Sequence, residues 1–301
     1  MLSRNPRFAG YAWAVLAYNV AVVIWGAFVR ASGSGAGCGN HWPLCNGEIT
    51  PTGPTLQTII EFTHRSTSGI DLVLVAILLW WAFRAFPRGH AVRRGAVLSA
   101  VFLMMEALIG ASLVLLEHVA KNQSPNRAWS LSTHLINTLT LLACLTLTAW
   151  WAQGHEAIRP RGRAAWMAAI SLGAVMLTAV TGAIAALGDT LFPASSLAGS
   201  IARDFDPSSS IFLRLRVLHP AIAAVAGAWL LYYGLSSRLR LGAAMAMLVL
   251  AQILAGVVNL LLLAPVWMQL LHLLLADAVW IALVLVCGTG EIDSASPRGA
   301  S

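Results

Sequence analysis

The chain has 301 residues, of which 58% are hydrophobic and only 10% are charged, which excludes a soluble globular protein and predicts repeated membrane crossing. A formal net charge of +7 does not indicate nucleic-acid binding, because the basic residues are dispersed at the ends of hydrophobic segments. We therefore expect the lipid bilayer around most of the chain and no nucleic acid among its partners.

Eight hydrophobic segments follow one another along the chain, each close to the roughly 20 residues that a membrane-spanning helix needs. In chain order they are Tyr11–Arg30, Phe62–Trp81, Gly95–Leu116, Trp129–Trp151, Ala164–Leu187, Ile211–Tyr233, Leu241–Leu263 and Pro265–Cys287. The first follows a short basic N-terminus and is long enough to span, so we do not expect a cleaved signal peptide. The sequence thus predicts an all-α polytopic membrane protein with eight transmembrane helices.

The basic residues divide unequally between the two sides of the membrane that these helices define. Twelve of the 19 lie on the side that carries both termini. They are Arg4, Arg7, Arg84, Arg88, Arg93, Arg94, Arg159, Arg161, Arg163, Arg238, Arg240 and Arg298. Because cytoplasmic loops carry the excess of basic residues, we expect a multi-pass protein of the cell membrane with both termini in the cytoplasm.

Four histidines lie near the outer ends of the second, fourth, sixth and eighth segments: His64, His134, His219 and His272. Each falls within about the first two turns, so all four are expected roughly 4–13 Å below the outer surface. A single buried histidine is more often hydrogen-bonded between helices than bound to a metal. Four at matched depth favour haem iron, which two imidazoles on facing helices bind axially. Zinc or copper is disfavoured because carboxylate and thiolate ligands are missing at that depth.

A faint internal repeat indicates that the four histidines form two pairs, one in each half of the chain. His64 and His219 occupy the same place in the second and sixth segments, and Glu106–Gly110 in the third resembles Gln252–Gly256 in the seventh. We therefore expect residues 1–155 and 156–301 to form two four-helix halves related by a pseudo-two-fold axis along the membrane normal. Each half is then a bundle with two histidines pointing inward.

Three ionisable residues share one helix face at the start of the second segment: Glu61, His64 and Arg65. Ionisable groups at this place in a membrane helix are costly and usually mark a site. Glu61 would either move protons beside a haem or form an ion pair with Arg65. Arg65 and Arg216 would either contact haem propionates or anchor their helices at the membrane surface.

Two cysteines, Cys38 and Cys45, lie in the first outer loop, which is rich in glycine and proline. The outer side of a cell membrane is oxidising, so we expect a disulfide between them. Such a short exposed ring would be either structural or redox-active.

These residues together resemble the bacterial haem A synthase family over essentially the whole chain. Glu61–Arg65 matches the family's Glu-x-x-His-Arg signature, and Gly33–Cys45 resembles its first outer loop with the cysteine pair. The other three histidines fall where the family has its remaining haem ligands. Two departures stand out, because Leu191–Asp206 lacks the second cysteine pair of some members and His219-Pro220 replaces a frequent His-Arg.

The resemblance implies an oxidoreductase that converts the C8 methyl of haem O to a formyl group, giving haem A for cytochrome oxidase. The implied route is two oxygen-dependent hydroxylations, after which a gem-diol loses water. By the same resemblance, His64 and His134 frame the substrate haem with Glu61 as the catalytic residue, while His219 and His272 hold a resident haem b. The implied partners are haem O, molecular oxygen, an electron donor and, as a candidate, the haem O synthase.

An alternative function is a bis-histidine di-haem membrane cytochrome that only transfers electrons. The equal depth of the four histidines argues against this function, because electron transfer across the bilayer needs haems near opposite faces. A transporter with a histidine-lined path is weaker still, since histidines clustered on the outer side provide no route to the cytoplasm.

Overall fold

The computed structural model describes residues 4–157, 160–237 and 240–289. Within these residues, eight helical segments are long and apolar enough to cross a membrane. The helices are α1 (Pro6–Ala31), α2 (Leu56–Ala85), α3 (Ala91–Leu115), α4 (Pro125–Ala152), α5 (Gly162–Leu191), α6 (Leu197–Phe205), α7 (Ile211–Arg216), α8 (Leu218–Ser236), α9 (Arg240–Leu261) and α10 (Val266–Thr289). The predicted all-α architecture with eight spanning helices is confirmed. Three members of the basic set, Arg159, Arg238 and Arg298, lie outside the described residues.

Several helices begin earlier than the hydrophobic segments, because polar residues cap them. The Asn5 side chain accepts a hydrogen bond from the Phe8 N–H at 3.1 Å, and Pro6 follows it at the first helical position. Thr55 caps α2 in the same way through the Thr58 N–H at 3.2 Å. The second helix therefore starts six residues before the predicted Phe62, and Glu61 lies in its second turn.

The sixth membrane segment is broken between α7 and α8 at Val217. Pro220 has no N–H to donate to the carbonyl of Arg216, and its ring collides with that carbonyl in a regular helix. The break therefore follows from Pro220, the residue after His219 where many family members have arginine. The short helix α6, which the sequence analysis did not predict, lies in the preceding loop and contacts α7.

The helices close into two rings of four. In the first, α1 contacts α2 and α4, and α3 contacts the same two helices. In the second, α5 and α9 each contact α8 and α10. Across the interface α4 contacts α5 and α10, and α1 contacts α10. Exchanging the two rings reproduces this pattern, because the contact of α4 with α5 corresponds to the contact of α10 with α1. The two-fold axis and the division at residue 155 stay predictions.

The largest fully buried side chain among the described residues lies at this interface. Trp280 of α10 is 1% exposed, and its indole N–H donates to the Leu139 carbonyl of α4 at 2.7 Å. Large apolar side chains such as Trp80, Leu108 and Val225 point outward and are exposed. An apolar outer surface around a packed interior is the arrangement that a bilayer stabilises.

Candidate functional site

The four histidines stand at similar distances from the starts of their membrane segments. They belong to α2, α4, α8 and α10, which lie in alternate membrane segments along the chain. Counted from the first helical residue of each membrane segment, the histidines are roughly 9–14 Å along the helix axis. The positions of the four histidines along their helices thus correspond, while their depth in a membrane stays a prediction.

Each histidine ring packs against a glycine of the preceding membrane segment. The four pairs are Gly26 with His64, Gly110 with His134, Gly182 with His219 and Gly256 with His272. A methyl group on Gly26 or Gly182 would come within 2.9 Å of a carbon of the facing ring. These glycines therefore leave room for an imidazole between helices, a repeated role that the sequence analysis missed although Gly110 and Gly256 belong to the repeat.

The second pair of histidines is spaced for a shared metal. The ring centroids of His219 and His272 are 6.4 Å apart, with the ring planes at 83°. Imidazole–metal bonds of about 2 Å place two ring centroids roughly 6 Å apart when both bind one metal. The Thr178 carbonyl lies 3.2 Å from His219 Nδ1 and orients that ring. The Nδ1 atom of His272 is buried without a hydrogen-bond partner among the described residues, so the pair fits haem iron.

The first pair has a different environment, because an acid binds one of its rings. Glu106 of α3 places Oε1 2.9 Å from His134 Nδ1. The same carboxylate accepts a hydrogen bond from Asn137 Nδ2 at 2.5 Å and another from the Thr138 hydroxyl. His64 stands on α2, which contacts α3, the helix that carries Glu106. The sequence interpretation that no carboxylate lies near the histidines was wrong for this pair, and an acid inside a hydrophobic segment was the signal that could have identified Glu106.

Glu61 is buried beside the disulfide loop. Its Oε2 accepts the Cys38 N–H at 2.9 Å, and its Oε1 pairs with Arg65 Nη2 at 2.5 Å. Arg65 also donates to the backbone carbonyls of His41 and Leu44. The ion pair that the sequence offered as the alternative role of Glu61 is therefore present, and Arg65 also attaches the loop between α1 and α2 to α2.

The loop that contains Cys38 and Cys45 packs against the N-terminal end of α2. The two cysteines form a disulfide and are both buried. Gly37 lies so close to α2 that a Cβ there would come within 2.4 Å of the Gln57 backbone. The Thr58 hydroxyl donates to the Gly37 carbonyl at 2.9 Å. The loop thus covers the helix surface that carries Glu61.

The two arginines considered for haem propionates already have protein partners. Arg65 holds Glu61 and the loop carbonyls, as described above. Arg216 pairs with Asp189 at 2.5 Å and with Asp204 at 2.6 Å. A propionate contact from either arginine stays a prediction, and it requires an exchange of these partners on binding.

Two further carboxyl groups, missed by the sequence analysis, are buried farther inward in the same helices. Asp71 lies on α2 and accepts a hydrogen bond from the Asn19 amide of α1. Asp277 lies on α10 and its Oδ2 has no hydrogen-bond partner among the described residues. They stand roughly 8–11 Å inward of His64 and His272 along their helices. Each half therefore has an acid below its histidines.

Comparisons with known proteins identify a family over most of the chain. A family model described as cytochrome oxidase assembly protein matches residues 9–284. A relative from Thermus thermophilus, named protoheme IX farnesyltransferase, is 49% identical over 263 residues, which are 84% of this chain and 43% of that protein. A relative from Geobacillus kaustophilus, named heme A synthase, is 47% identical over 93 residues, which are 31% of this chain and 29% of that protein. The chain thus spans less than half the length of the first of these relatives.

Proposed function

The chain belongs to the family of cytochrome oxidase assembly proteins, and from that premise we propose that it is a haem A synthase. The proposed reaction oxidises the C8 methyl of haem O to a formyl group by two oxygen-dependent hydroxylations. The observation that carries the proposal is one pair of histidines in each four-helix ring, with Glu106 Oε1 2.9 Å from His134 Nδ1 in the first ring.

The two pairs are assigned different tasks. His219 and His272 hold a resident haem b, which supplies one-electron transfer when bound. His64 and His134 hold the substrate haem O in the first ring. This division is supported by the 6.4 Å spacing of the second pair and by the ionisable groups, Glu61 and Glu106, that surround the first.

Glu61 is the proposed proton carrier. Each hydroxylation places one oxygen atom of O2 on carbon and releases the other as water, which consumes two electrons and two protons. Glu61 lies three residues from His64 on the same helix face, so its carboxylate can pass protons toward the substrate. The covering loop from Cys38 to Cys45 limits access of bulk water to this carboxylate, which is 3% exposed.

We further propose the cell membrane as the location, with both termini in the cytoplasm and the histidines toward the outer side. The uneven distribution of arginines supports this orientation. A haem O synthase is the proposed partner that delivers substrate. The similarity to a protein named protoheme IX farnesyltransferase supports a place in the haem O pathway. Molecular oxygen and an electron donor complete the proposed partners.

The deciding experiment expresses the chain together with a source of haem O in a host that makes no haem A, and then separates the extracted haems by chromatography. Haem A or a hydroxylated haem in the extract supports the proposal, and the host without the chain is the control. Protein that purifies with haem b and forms neither product supports the electron-transfer cytochrome instead. Protein that purifies without any haem contradicts both functions.

A further inference from the structure

The two four-helix rings differ in the residue that faces one histidine of each pair. In the first ring, Glu106 Oε1 contacts His134 Nδ1 at 2.9 Å. In the second ring, the side-chain amide nitrogen of Gln252 lies 3.4 Å from His272 Nε2. Glu106 and Gln252 occupy matching places in the two repeats, each four residues before the glycine that packs against the histidine. The ring with Glu106 therefore has a carboxylate at Nδ1 of His134, whereas the ring with Gln252 has a neutral amide at Nε2 of His272 and leaves Nδ1 of that histidine without a partner among the described residues.

The carboxylate of Glu106 is held firmly in place. Asn137 donates to its Oε2 at 2.5 Å and the Thr138 hydroxyl donates to its Oε1. Both donors stand on α4, within four residues of His134. Because Asn137 and Thr138 fix the carboxylate relative to α4, Glu106 can fix the ring of His134 in turn. The contact keeps a proton on Nδ1 and leaves Nε2 of His134 free to bind iron.

A negative partner also changes the strength of the ligand. A histidine that donates its second N–H to a carboxylate becomes a more basic ligand, and such outer partners typically alter metal affinity by about 10–100-fold. A more basic ligand stabilises ferric iron more than ferrous iron, and it gives the iron more electron density for reaction with oxygen. In the second ring the His219 Nδ1 atom faces the neutral Thr178 carbonyl, and Gln252 carries no charge. Among the described residues, no carboxylate forms an ion pair with either histidine of that ring.

We propose that Glu106 is a positioning residue that makes His134 the most basic iron ligand among the four histidines. This difference in ligand strength assigns the oxygen reaction to the first ring. The inference rests on the proposed haem A synthase function and deepens it. The two repeats thus differ at the position that Glu106 and Gln252 share. The ring with glutamate reacts with oxygen, and the ring with glutamine only transfers electrons.

The test measures the midpoint potentials of the bound haems in the purified full-length protein, produced together with a source of haem O. The midpoint that disappears in His272→Ala identifies the haem of the second ring. We expect Glu106→Gln to raise the other midpoint, because a weaker ligand favours the ferrous state. A tenfold change in the ferric-to-ferrous affinity ratio corresponds to about 59 mV for one electron.

The reciprocal variant is the matched control. Gln252→Glu should lower the midpoint of the second haem and leave that of the first unchanged. If both haems remain bound and neither midpoint moves in the two variants, the inference is wrong while the proposed function stands. Loss of the first haem in Glu106→Gln, combined with an unmoved midpoint in Gln252→Glu, also overturns it. Wild-type protein without haem, or without haem A formation, overturns the proposed function itself.

Discussion

Replacing Glu61 by glutamine separates a catalytic carboxylate from a purely structural ion pair. Glutamine has nearly the same size and keeps one oxygen that can accept a hydrogen bond from the Cys38 N–H. In the native protein the Cys38 nitrogen lies 2.9 Å from Glu61 Oε2. It cannot carry negative charge or exchange a proton at neutral pH. The substitution therefore removes the chemistry of Glu61 while it keeps most of the shape of the loop contact.

The expected loss of stability is moderate. Removing one member of a buried ion pair typically costs about 3–5 kcal/mol, because the remaining charge stays buried. Here Arg65 keeps the carbonyls of His41 and Leu44 as acceptors, and its side chain is 12% exposed. We therefore expect about 2–3 kcal/mol, which is close to one charge-assisted hydrogen bond.

The expected loss of activity is larger. Positioned proton transfer contributes typically about 10²–10⁴-fold, so haem A formed per haem bound should fall by roughly 100-fold or more. Haem O or a hydroxylated intermediate should accumulate instead. The assay is chromatography of extracted haems, divided by the haem bound to purified protein. Thr58→Val is the matched control, because it removes the 2.9 Å bond to the Gly37 carbonyl and loosens the same loop without changing Glu61.

A wild-type ratio of haem A to bound haem in Glu61→Gln would refute the catalytic role. The ion pair with Arg65 would then be the whole function of this residue. Equal losses in Glu61→Gln and Thr58→Val would also refute it, because both variants would then act through the loop alone.

Three further predictions concern the ligands, the disulfide and the glycines. Replacing either histidine of the second ring by alanine should remove the tightly held low-spin haem, and a wild-type absorption spectrum would contradict the assignment. Thiol reagents applied to intact cells should label neither Cys38 nor Cys45 until a reductant is added, whereas labelling of unreduced protein would argue against the bond in cells. Gly182→Ala should lower haem content and cost about 1–3 kcal/mol by crowding a ring 2.9 Å away, whereas Gly110→Ala, with 3.5 Å available, should be tolerated. Equal haem retention in both glycine variants, by absorbance and thermal unfolding, would show that ring packing is not limiting.

Much of the fold could be predicted from the sequence because the bilayer restricts the possible structures so strongly. In lipid every backbone polar group must be paired within the segment, so hydrophobic runs of sufficient length become helices. The eight spanning helices follow from segment length, and the position of each histidine along its helix follows from the rise per residue. The helix ends were harder to predict, because caps such as Thr55 extend α2 beyond its hydrophobic part.

The identity of the candidate site was also accessible from local patterns. The face shared by Glu61, His64 and Arg65 follows from helical periodicity alone. The disulfide expectation followed from two cysteines in one short outer loop, and the structure contains that bond. The sequence was consistent with two roles for Glu61. Residue spacing shows which side chains share its helix face, but it does not show which residues of other helices and loops contact it.

The contacts between helices were decided only by the tertiary structure. Glu106 and His134 stand on different helices, and so do Arg216 and Asp189. Which faces meet depends on the rotation of each helix and on the small residues that let the helices approach, neither of which has a period along the chain. The sequence by itself therefore determined how many membrane-spanning segments there are and where along its segment each histidine stands. Packing alone decided that a carboxylate faces one pair of histidines and a carboxamide the other.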